Sequence, residues 1–303
     1  MSQIISLEVV VEGTRIDRFL SENCVDISRS QIQKLILAGN VTVDGEVTTS
    51  SFRVRIGQKL VVEIPDPSPS DLVPEDIPID IVYEDTDLLV VDKPAGMIVH
   101  PAPGHRSKTL ANAVLSHCPD LRGIGNKIRP GIVHRLDKNT SGLIVVAKNH
   151  IAHTRLSYQF KNRQFKKSYL AMVHGKVSPL EATIDGPIGR DPRNRKRMSI
   201  VERGRDSTTE YKVLKNYGAY TLLNVRPITG RTHQIRVHMT SVGYPLVADE
   251  LYGKAHKALA RQFLHAQAIK FIHPSSKQVV EFSSELPQDL MGFVDYIQSK
   301  RKL

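Results

Sequence analysis

Residues 65 to 80, PDPSPSDLVPEDIPID, hold five prolines and five acidic residues but no Lys or Arg. Each proline removes a backbone hydrogen-bond donor, and five carboxylates are costly to bury. This stretch therefore fits neither the interior of a helix nor a central strand. A chain of 303 residues is long enough for two domains. We therefore predict a small domain over residues 14–64, a stiff acidic linker over 65–78 and a larger domain over 79–303.

Charge is divided unevenly along the chain. Residues 1 to 92 hold 7 Lys and Arg against 17 Asp and Glu, a net charge of −10, whereas residues 93 to 303 hold 35 against 14, a net charge of +21. This strongly positive charge over residues 93 to 303 indicates a polyanionic partner, with nucleic acid as the leading candidate. A membrane surface is a weaker candidate, because no basic amphipathic helix with aromatic anchors is visible.

The remaining composition is that of an ordinary folded protein, with 40% apolar residues. No segment approaches the roughly 18 apolar residues of a membrane span, and the N-terminus lacks the pattern of a secretory signal. Cys24 and Cys118 stand far apart, without the spacing of a disulfide framework or a metal site. We therefore expect a cytoplasmic protein, and a monomer because no long exposed apolar stripe appears.

Residues 14–64 carry the signals of two helices followed by a small sheet. A helix is predicted over 15–22, and Ser28 to Gln31 form a capping box that opens a second helix, which Gly39 and Asn40 end. Alternating strands follow, with a turn at Asp44 and Gly45. The pattern resembles the αL RNA-binding domain first recognised in a small-subunit ribosomal protein. The matching residues are Arg29, Ser30, Gln31, Lys34, Gly39, Val41, Val43 and Gly45.

The αL resemblance implies an RNA-facing surface that includes Arg29 and Lys34, with Arg15 and Arg18 beside them. The net charge would not have suggested this, since residues 14–64 hold 7 basic and 6 acidic side chains. A solvated helix face is the alternative explanation.

Residues 79–303 alternate short strand-like runs with a few helices. Helices are predicted near residues 109–117, 149–163, 231–242 and 286–299, between many short runs of β-branched residues. This order predicts an α+β fold with a mixed, largely antiparallel sheet.

Several classes of chemistry are excluded by the motifs. The chain has no G-x-x-x-x-G-K-[ST] phosphate loop, no G-x-G-x-x-G after a strand and no G-x-S-x-G nucleophile turn. The 12 His residues are scattered, and His233 and His238 lie five apart, which does not place them squarely on one helical face. We expect no metal.

The strongest candidate for chemistry is Asp137, in the stretch GIVHRLDKNTSGLIVVAK at residues 131–148. A surface turn needs Asp, Asn, Thr, Ser and Gly for backbone reasons alone. Asp137 differs because cations flank it, and TGRTHQIRVHM at 229–239 offers Arg231 and Arg236 as further cations. A neighbouring cation lowers the pKa of a carboxyl, which keeps it ionised as a nucleophile or base.

Five segments together resemble the pseudouridine synthases of the RluA/RluD type, which modify uridines chiefly in large-subunit ribosomal RNA. They are DLLVVDKPAGMIVHP, HRLDKNTSGLIVVAK, FKKSYLA, ITGRTHQIRVHM and FLHA, in the family's order. The resemblance runs from about Ile79 to the C-terminus, behind the αL domain that is usual in longer members. It implies the pseudouridine synthase fold and an isomerase that needs neither metal nor cosubstrate.

The resemblance also implies roles for individual residues. Asp137 matches the catalytic aspartate, whose carboxylate adds to the base, attacks C1′ or takes the proton at C2′; the sequence leaves these routes open. Tyr169 matches the tyrosine that stacks on the uracil and helps remove its C5 proton, and Arg236 the arginine that pairs with the carboxylate. Arg135 matches the arginine that replaces the flipped nucleotide. Further contacts are implied for Arg231, Ile235 and Leu264, the last two as pocket walls.

Residues 189–205, GRDPRNRKRMSIVERGR, contain 7 Lys and Arg against 2 acidic residues. The composition predicts an exposed basic loop that contacts RNA phosphates. The residues expected to bind RNA there are Arg193, Arg195, Lys196 and Arg197. A loop whose charges serve only solubility is the alternative.

Three rival functions remain open at this stage. A tRNA pseudouridine synthase differs only in substrate, and a non-catalytic RNA-binding assembly factor would keep the fold without turnover. A nucleoside or glycoside hydrolase breaks the same bond, but that chemistry commonly uses two cooperating carboxylates. Release of free uracil would identify it.

Overall fold

The computed structural model describes residues 3–24, 27, 29–64, 72–102, 104–121, 124–126 and 129–300. Residues 65–71 of the predicted linker and Ser28 of the predicted capping box lie outside these ranges, and residues 72–79 have no regular secondary structure. The chain divides into two compact units, 1–71 with 122–130, and 72–121 with 131–303.

Within the described residues, the chain forms six α-helices and seventeen strands. The helices are α1 (Ile16–Asn23), α2 (Arg29–Leu37), α3 (Leu110–His117), α4 (His150–Lys161), α5 (Gln234–Ser241) and α6 (Gln288–Ser299). The first eight strands are β1 (Gln3–Glu8), β2 (Val41–Val43), β3 (Glu46–Val47), β4 (Lys59–Ile64), β5 (Asp80–Glu84), β6 (Leu88–Lys93), β7 (Gly125–Asn126) and β8 (Arg129–Pro130). The others are β9 (Ser141–Ala147), β10 (Lys166–His174), β11 (Glu181–Asp185), β12 (Ile188–Arg190), β13 (Met198–Ile200), β14 (Thr208–Asn216), β15 (Tyr220–Pro227), β16 (Leu264–Ile272) and β17 (Val279–Ser283).

The first unit packs α1 and α2 with an antiparallel sheet in the order β1-β4-β2-β3. Asp44 and Gly45 join β2 to β3 with φ values of 52° and 92°, the backbone that a two-residue hairpin turn requires. The apolar side chains of both helices and three strands form one core. It includes Ile16, Leu20, Ile32, Ile36, Val41, Leu60 and Val62.

The second unit contains a sheet in the order β11-β14-β15-β10-β16-β9-β6-β5, with β17 also paired to β16. Among its described strands, β9 and β16 form the only parallel pair. The predicted α+β class with a largely antiparallel sheet is therefore confirmed. The helix α4 packs near β9 and β6, and α6 packs in a second cluster that includes Met172 and Phe263.

Strand β9 is the most buried element of this sheet, with every residue from Ser141 to Ala147 buried. Its run of Leu, Ile, Val and Ala shows no alternation because both faces are covered. Its neighbour β6 is nearly as buried. A fully buried strand thus begins four residues after Asp137.

The helices lie within a few residues of their predicted positions. Thr109 caps α3 through its side chain, which accepts a hydrogen bond from the Asn112 N–H. Helix α5 begins at Gln234 rather than near residue 231, because His233 has a positive φ of 58°. No helix in the described ranges is long and apolar enough to cross a membrane.

The segment 189–205 differs from its prediction as a basic loop. Strands β12 and β13 pair in an antiparallel hairpin, with Arg190 opposite Met198. The turn between them is held by Asp191, whose side chain accepts hydrogen bonds from the backbone N–H of Arg193 and Asn194. We call residues 188–200 the basic hairpin.

Candidate active site

Two glycines hold the segment that carries Asp137. Gly131 has φ 66° and Gly142 has φ 113°, and a Cβ atom would lie 2.1 Å from the Ala147 carbonyl oxygen or 2.3 Å from that of Ala266, respectively. No side chain fits at either position without moving backbone. The segment is therefore fixed at both ends against strands of the central sheet.

Between these glycines, three consecutive carbonyl groups are hydrogen-bonded. The Asp137 carbonyl accepts from the Thr140 N–H at 3.1 Å, and the Asn139 carbonyl accepts from Arg261 Nη1 at 3.1 Å. The Lys138 carbonyl accepts from the Gly96 N–H at 2.9 Å and from Lys93 Nζ at 3.2 Å. Residues far apart in sequence thus set the backbone position of Asp137.

The Lys93 side chain is fully buried, and its amine contacts the backbone of this turn. Its Nζ also donates to the carbonyls of Pro94 and Met97, at 2.7 and 2.9 Å. Burial lowers the pKa of Lys93 to about 7, and the charge of Arg261 acts in the same direction. Three carbonyl acceptors make its role structural, because they leave Nζ no free donor to offer a substrate.

The Asp137 carboxylate retains 17% exposure of its side chain and contacts a buried arginine. Arg236 Nη1 donates to Asp137 Oδ2 at 3.1 Å, while its Nε and Nη2 donate to the two oxygens of Asp249 at 2.7 and 2.8 Å. Burial alone would lower the pKa of Arg236, but Asp249 and Asp137 outweigh it and raise that pKa. Arg236 therefore stays charged and orients the Asp137 carboxylate.

Asp249 supports this arginine from a position with no side-chain exposure. Its Oδ1 also accepts the backbone N–H groups of Leu251 and Tyr252, each at 3.1 Å. With both oxygens bonded and no contact with water, Asp249 is not available as a second catalytic carboxylate.

His233 and Tyr252 complete the surroundings of Asp137. His233 Nε2 lies 3.9 Å from Asp137 Oδ2, and its Nδ1 lies 2.8 Å from the Tyr252 hydroxyl. The Arg236 guanidinium stacks over the Tyr252 ring, 4.9 Å from the ring centre. Burial lowers the pKa of His233. The charge of Asp137 raises this pKa, whereas the charges of Arg236 and Arg135 lower it further.

Tyr169 lies in β10 and is 8% exposed. Burial raises the pKa of its hydroxyl above the usual range, and the negative charge of Asp137 adds to that effect. Tyr169 is therefore a neutral phenol in the electrostatic field of the carboxylate. Arg135 is exposed, and its charge acts on His233, which places it at the rim of the same site.

His134 is a structural neighbour of these residues. Its Nε2 accepts a hydrogen bond from the Val145 N–H at 2.9 Å, and its ring stacks on Phe160 with 5.3 Å between ring centres. Burial lowers the pKa of His134 to about 3, with the charge of Lys167 adding to that effect. His134 is neutral and ties the Asp137 segment to β9.

The predicted RNA-binding residues occupy varied surroundings. In the basic hairpin, Arg193, Arg195 and Lys196 are exposed, whereas Arg197 is half-buried with its guanidinium 5.0 Å from the centre of the Tyr252 ring. Arg231 donates to the Asp206 carbonyl at 3.3 Å. Ile235 and Leu264 are both buried.

In the first unit, Lys34 is exposed, and Arg29 is half-exposed and tied to a buried carboxylate. Arg29 Nη2 lies 2.9 Å from Asp17 Oδ2, and Arg15 Nε lies 3.1 Å from Asp17 Oδ1. RNA contacts of the predicted residues in both units stay predictions.

Sequence reasoning missed much of the support around Asp137. His233 was considered only as a metal ligand, and Asp249, Tyr252, Lys93 and Arg261 were not singled out. The available signal for Asp249 was its place directly after the apolar residues of PLVADELYG, where Asp249 and Glu250 are the acidic residues, because a carboxylate buried there needs a cation. Nothing in the local pattern indicated which cation it would be.

This arrangement presents one oriented carboxylate beside a neutral phenol, with an exposed arginine at the rim. It suits a nucleophile or base acting on an uncharged planar group that is stacked on the phenol. A hydrolase with two cooperating carboxylates fits poorly, since Asp249 is engaged on both oxygens.

Similarity to known proteins identifies the family of this chain. Residues 87–241 match the RNA pseudouridylate synthase family and residues 14–60 match the S4 domain. A Chloroflexus aurantiacus protein named as an uncharacterized RNA pseudouridine synthase is 51% identical over 288 residues, 94% of this chain and 90% of that protein. The ribosomal large subunit pseudouridine synthase D of Zymomonas mobilis is 44% identical over 292 residues, 92% of each chain.

A solved structure is also similar. The human protein named RNA pseudouridylate synthase domain containing 1 is 27% identical, covers 74% of this chain and 96% of its own, and superimposes with a TM-score of 0.56. The family match extends over half of the chain, and the relatives cover nearly all of it. The chain therefore belongs to the RNA pseudouridylate synthase family, with an S4 domain in front, and is an isomerase that acts on RNA.

Proposed function

We propose that this enzyme converts uridine to pseudouridine in large-subunit ribosomal RNA and that Asp137 is its catalytic carboxylate. The reaction breaks the bond between N1 and C1′, rotates the uracil and forms a bond between C5 and C1′. The proton on C5 is lost and N1 gains one, so atoms and electrons balance without an oxidant, a metal or a cosubstrate.

The observation that carries this proposal is the ion pair between Asp137 and Arg236. A buried arginine, itself fixed by Asp249, holds one oxygen of a carboxylate that keeps contact with solvent. Preorganisation of this kind favours a charged nucleophile or base, because no reorientation is needed during the reaction. All three routes open to the aspartate use such a carboxylate.

The target uridine has to leave its stack before Asp137 can reach it, at a cost of a few kcal/mol. Tyr169 offers an aromatic face to the flipped base, and stacking of that kind contributes about 1–3 kcal/mol. Arg135, exposed beside Asp137, is suited to take the place of the extruded nucleotide. Tyr169 is a neutral phenol in the free enzyme, so its part in removing the C5 proton is to pass a proton on and not to act as a free phenolate.

Two groups of cations are available to dock the rest of the RNA. Lys34 and Arg29 lie on α2 of the S4 domain, and the exposed side chains of the basic hairpin extend from the catalytic unit. We retain the boundaries 14–64, 65–78 and 79–303 for the RNA-binding domain, the linker and the catalytic domain. A monomeric state, a cytoplasmic location and independence of metal stay predictions.

The choice of large-subunit RNA rests on the relatives and on the S4 domain. The Zymomonas mobilis relative is named for the large ribosomal subunit, and the match covers 92% of both chains. A transfer RNA is the alternative substrate.

The test is tritium release from RNA labelled at uridine C5, with ribosomal and transfer RNA as separate substrates. We expect release from ribosomal RNA by the wild type, and a loss of several orders of magnitude in Asp137→Asn with unchanged RNA affinity. Asn keeps the size of the side chain, and Asp249 still satisfies Arg236, so the fold should hold.

Each other result excludes part of this proposal. Full activity in Asp137→Asn would show that Asp137 is not the catalytic carboxylate. Tritium release from transfer RNA alone would show that the substrate is transfer RNA and not ribosomal RNA. Tight binding without release from either RNA would favour a non-catalytic assembly factor, and free uracil would indicate a hydrolase.

A further inference from the structure

The hydroxyl of Tyr252 lies between two groups that fix its hydrogen bonds. It accepts a hydrogen bond from the backbone N–H of Met198 at 2.8 Å, and it lies 2.8 Å from His233 Nδ1. Tyr252 is 7% exposed, and its ring lies under the guanidinium groups of Arg236 and Arg197, 4.9 and 5.0 Å from the ring centre. The hydroxyl therefore has little freedom to choose other partners.

This geometry determines the tautomer of His233. A phenol has one proton to donate, and the Met198 N–H already occupies one of its acceptor positions. If the phenol oxygen also accepted from Nδ1, its own buried proton would have no acceptor among the described residues, so donation to Nδ1 is the arrangement that satisfies the hydroxyl. A neutral imidazole that accepts at Nδ1 carries its proton on Nε2, and Nε2 is the atom that faces Asp137.

The backbone of His233 is as firmly held as its ring. The residue has φ 58° and ψ 18° at the start of α5. The turn before it is closed by Gln234, whose Oε1 accepts the Thr229 hydroxyl at 2.6 Å and the Arg231 N–H at 3.0 Å. A non-glycine residue in this left-handed region is uncommon and indicates that the surroundings impose the conformation.

We propose that His233 is a positioning residue, which presents its Nε2–H to Asp137 Oδ2 in the RNA-bound enzyme while Tyr252 sets its tautomer. The proposal rests on the proposed role of Asp137 as the catalytic carboxylate. The present separation of 3.9 Å is too long for a hydrogen bond, and contacts of this kind often shorten when substrate binds.

As a consequence, the two carboxylate oxygens of Asp137 have different roles. Arg236 and His233 both approach Oδ2, and within the described part of the chain no hydrogen bond is made to Oδ1. Oδ2 is thus the anchored oxygen, and Oδ1 is the one that meets the nucleotide. With Nδ1 occupied by the phenol and Nε2 protonated, His233 acts as a donor and not as a base.

The tautomer is tested first, on the full-length enzyme labelled with ¹⁵N at histidine. Long-range ¹H–¹⁵N correlation at about pH 8, where histidine is neutral, separates the two neutral tautomers by their coupling patterns. His233→Asn identifies the signals of residue 233 by their loss. We expect the Nε2–H pattern in the wild type and its disturbance in Tyr252→Phe, which removes the hydroxyl but keeps the ring.

Tyr211→Phe is the matched control for this measurement. Tyr211 is equally buried, and its hydroxyl donates to the Pro179 carbonyl at 3.3 Å. Its replacement should leave the His233 signals unchanged. An Nδ1–H pattern in the wild type, or an unchanged pattern in Tyr252→Phe, would overturn the proposal.

Kinetics of tritium release then distinguish positioning from a purely structural role. Asn tolerates the left-handed region well but is too short to reach Asp137, whereas Gln carries an N–H₂ group at about the distance of Nε2. We expect kcat to fall about tenfold to a hundredfold in His233→Asn, the range of a lost hydrogen bond to a charged group, with KM unchanged. His233→Gln should recover much of that loss.

A structural role predicts the opposite order, with His233→Gln the poorer enzyme because its backbone is the more strained. Thermal unfolding of both variants measures that strain independently. An absence of tritium release in the wild type would instead reject the role of Asp137, and the tautomer measurement would still decide the arrangement of His233.

Discussion

At the scale of the residue, His134, Arg135 and Asp137 show how close neighbours in sequence acquire different roles. Burial alternates before the turn at Lys138, with His134 and Leu136 buried and Arg135 between them exposed. His134 binds the backbone of β9, Arg135 faces solvent at the rim, and Asp137 contacts Arg236. Of the three polar residues in this cluster, His134 therefore has a structural role, and Arg135 and Asp137 are the candidates for function.

The support role of His134 predicts a loss of stability without a matching loss of catalysis. In His134→Ala the Val145 N–H loses its acceptor, and the ring leaves a cavity beside Phe160. We expect the free energy of unfolding to fall by about 2–4 kcal/mol, measured by urea denaturation. The kcat of tritium release, measured well below the unfolding temperature, should change by only a few fold.

A large loss of kcat with unchanged stability would contradict this assignment and make His134 part of the chemistry. His134→Gln is the companion variant, because its amide oxygen offers an acceptor near the position of Nε2. It should retain more stability than His134→Ala.

His134 also predicts a pH dependence of stability. Its folded pKa of about 3 lies below the usual value for an unfolded chain, about 6.5. The unfolded state therefore binds one more proton between these two values. The contribution of His134 is complete above about pH 6.5 and is lost as the pH falls toward 3, at up to about 1.4 kcal/mol per pH unit.

Other buried histidines titrate in the same range, so the useful quantity is the difference between wild type and His134→Gln. The free energies of unfolding of the two proteins should converge as the pH is lowered from about 6.5 to 4. Parallel curves over that window would show that His134 titrates normally.

At the scale of the element, α1 and α2 are joined through one buried carboxylate. Asp17 has no side-chain exposure and accepts hydrogen bonds from Arg15, Arg29 and Gln33. Burial alone would raise the pKa of Asp17, but these donors outweigh it and lower that pKa well below the usual range. Arg15 and Arg29 of the predicted RNA-binding surface thus also join α1 to α2 through Asp17, an arrangement that we call the Asp17 clasp.

Asp17→Asn tests the clasp. The substitution keeps the shape but removes the charge, and both arginines are about half-exposed and regain water. We expect the S4 unit to lose about 1–3 kcal/mol of stability, seen as faster hydrogen exchange of the α1 and α2 amides. Glu22→Gln, which breaks the exposed ion pair with Arg18, should change the free energy of opening measured by hydrogen exchange by less than about 0.5 kcal/mol.

Elements were predictable from sequence where local pattern decides them, and sites were predictable only in part. Helix α3 was predicted near residues 109–117 and β9 lies in one of the predicted strand-like runs, because the signals for both are local. The basic hairpin was missed, since its strands are three residues long and its charges favour a loop. Asp137 and Arg236 were found through family motifs, whereas Asp249 and Tyr252 are set by tertiary contacts that no local pattern carries.

At the scale of the whole molecule, each of the two units carries exposed cations that we predict to contact RNA. The S4 unit is close to neutral over residues 14–64, and most of the positive charge lies in the catalytic unit. The hairpin residues Arg193, Arg195 and Lys196 are exposed, and so is Lys34 in the S4 unit. Phosphate contacts of this type release counterions, so each one adds to the salt dependence of binding.

Replacement of the three exposed hairpin cations by Gln should therefore flatten the dependence of log Kd on log salt by about two to three. Lys34→Gln should flatten it by about one, and the combined variant by the sum, because the cations act on different phosphates. The measurement is a salt titration of binding to ribosomal RNA. A control with Lys212→Gln, Lys277→Gln and Lys300→Gln removes equal charge from β14, the turn before β17 and the end of α6. If this control flattens the slope as much as the hairpin variant does, the enzyme attracts RNA by net charge alone and the hairpin has no docking role.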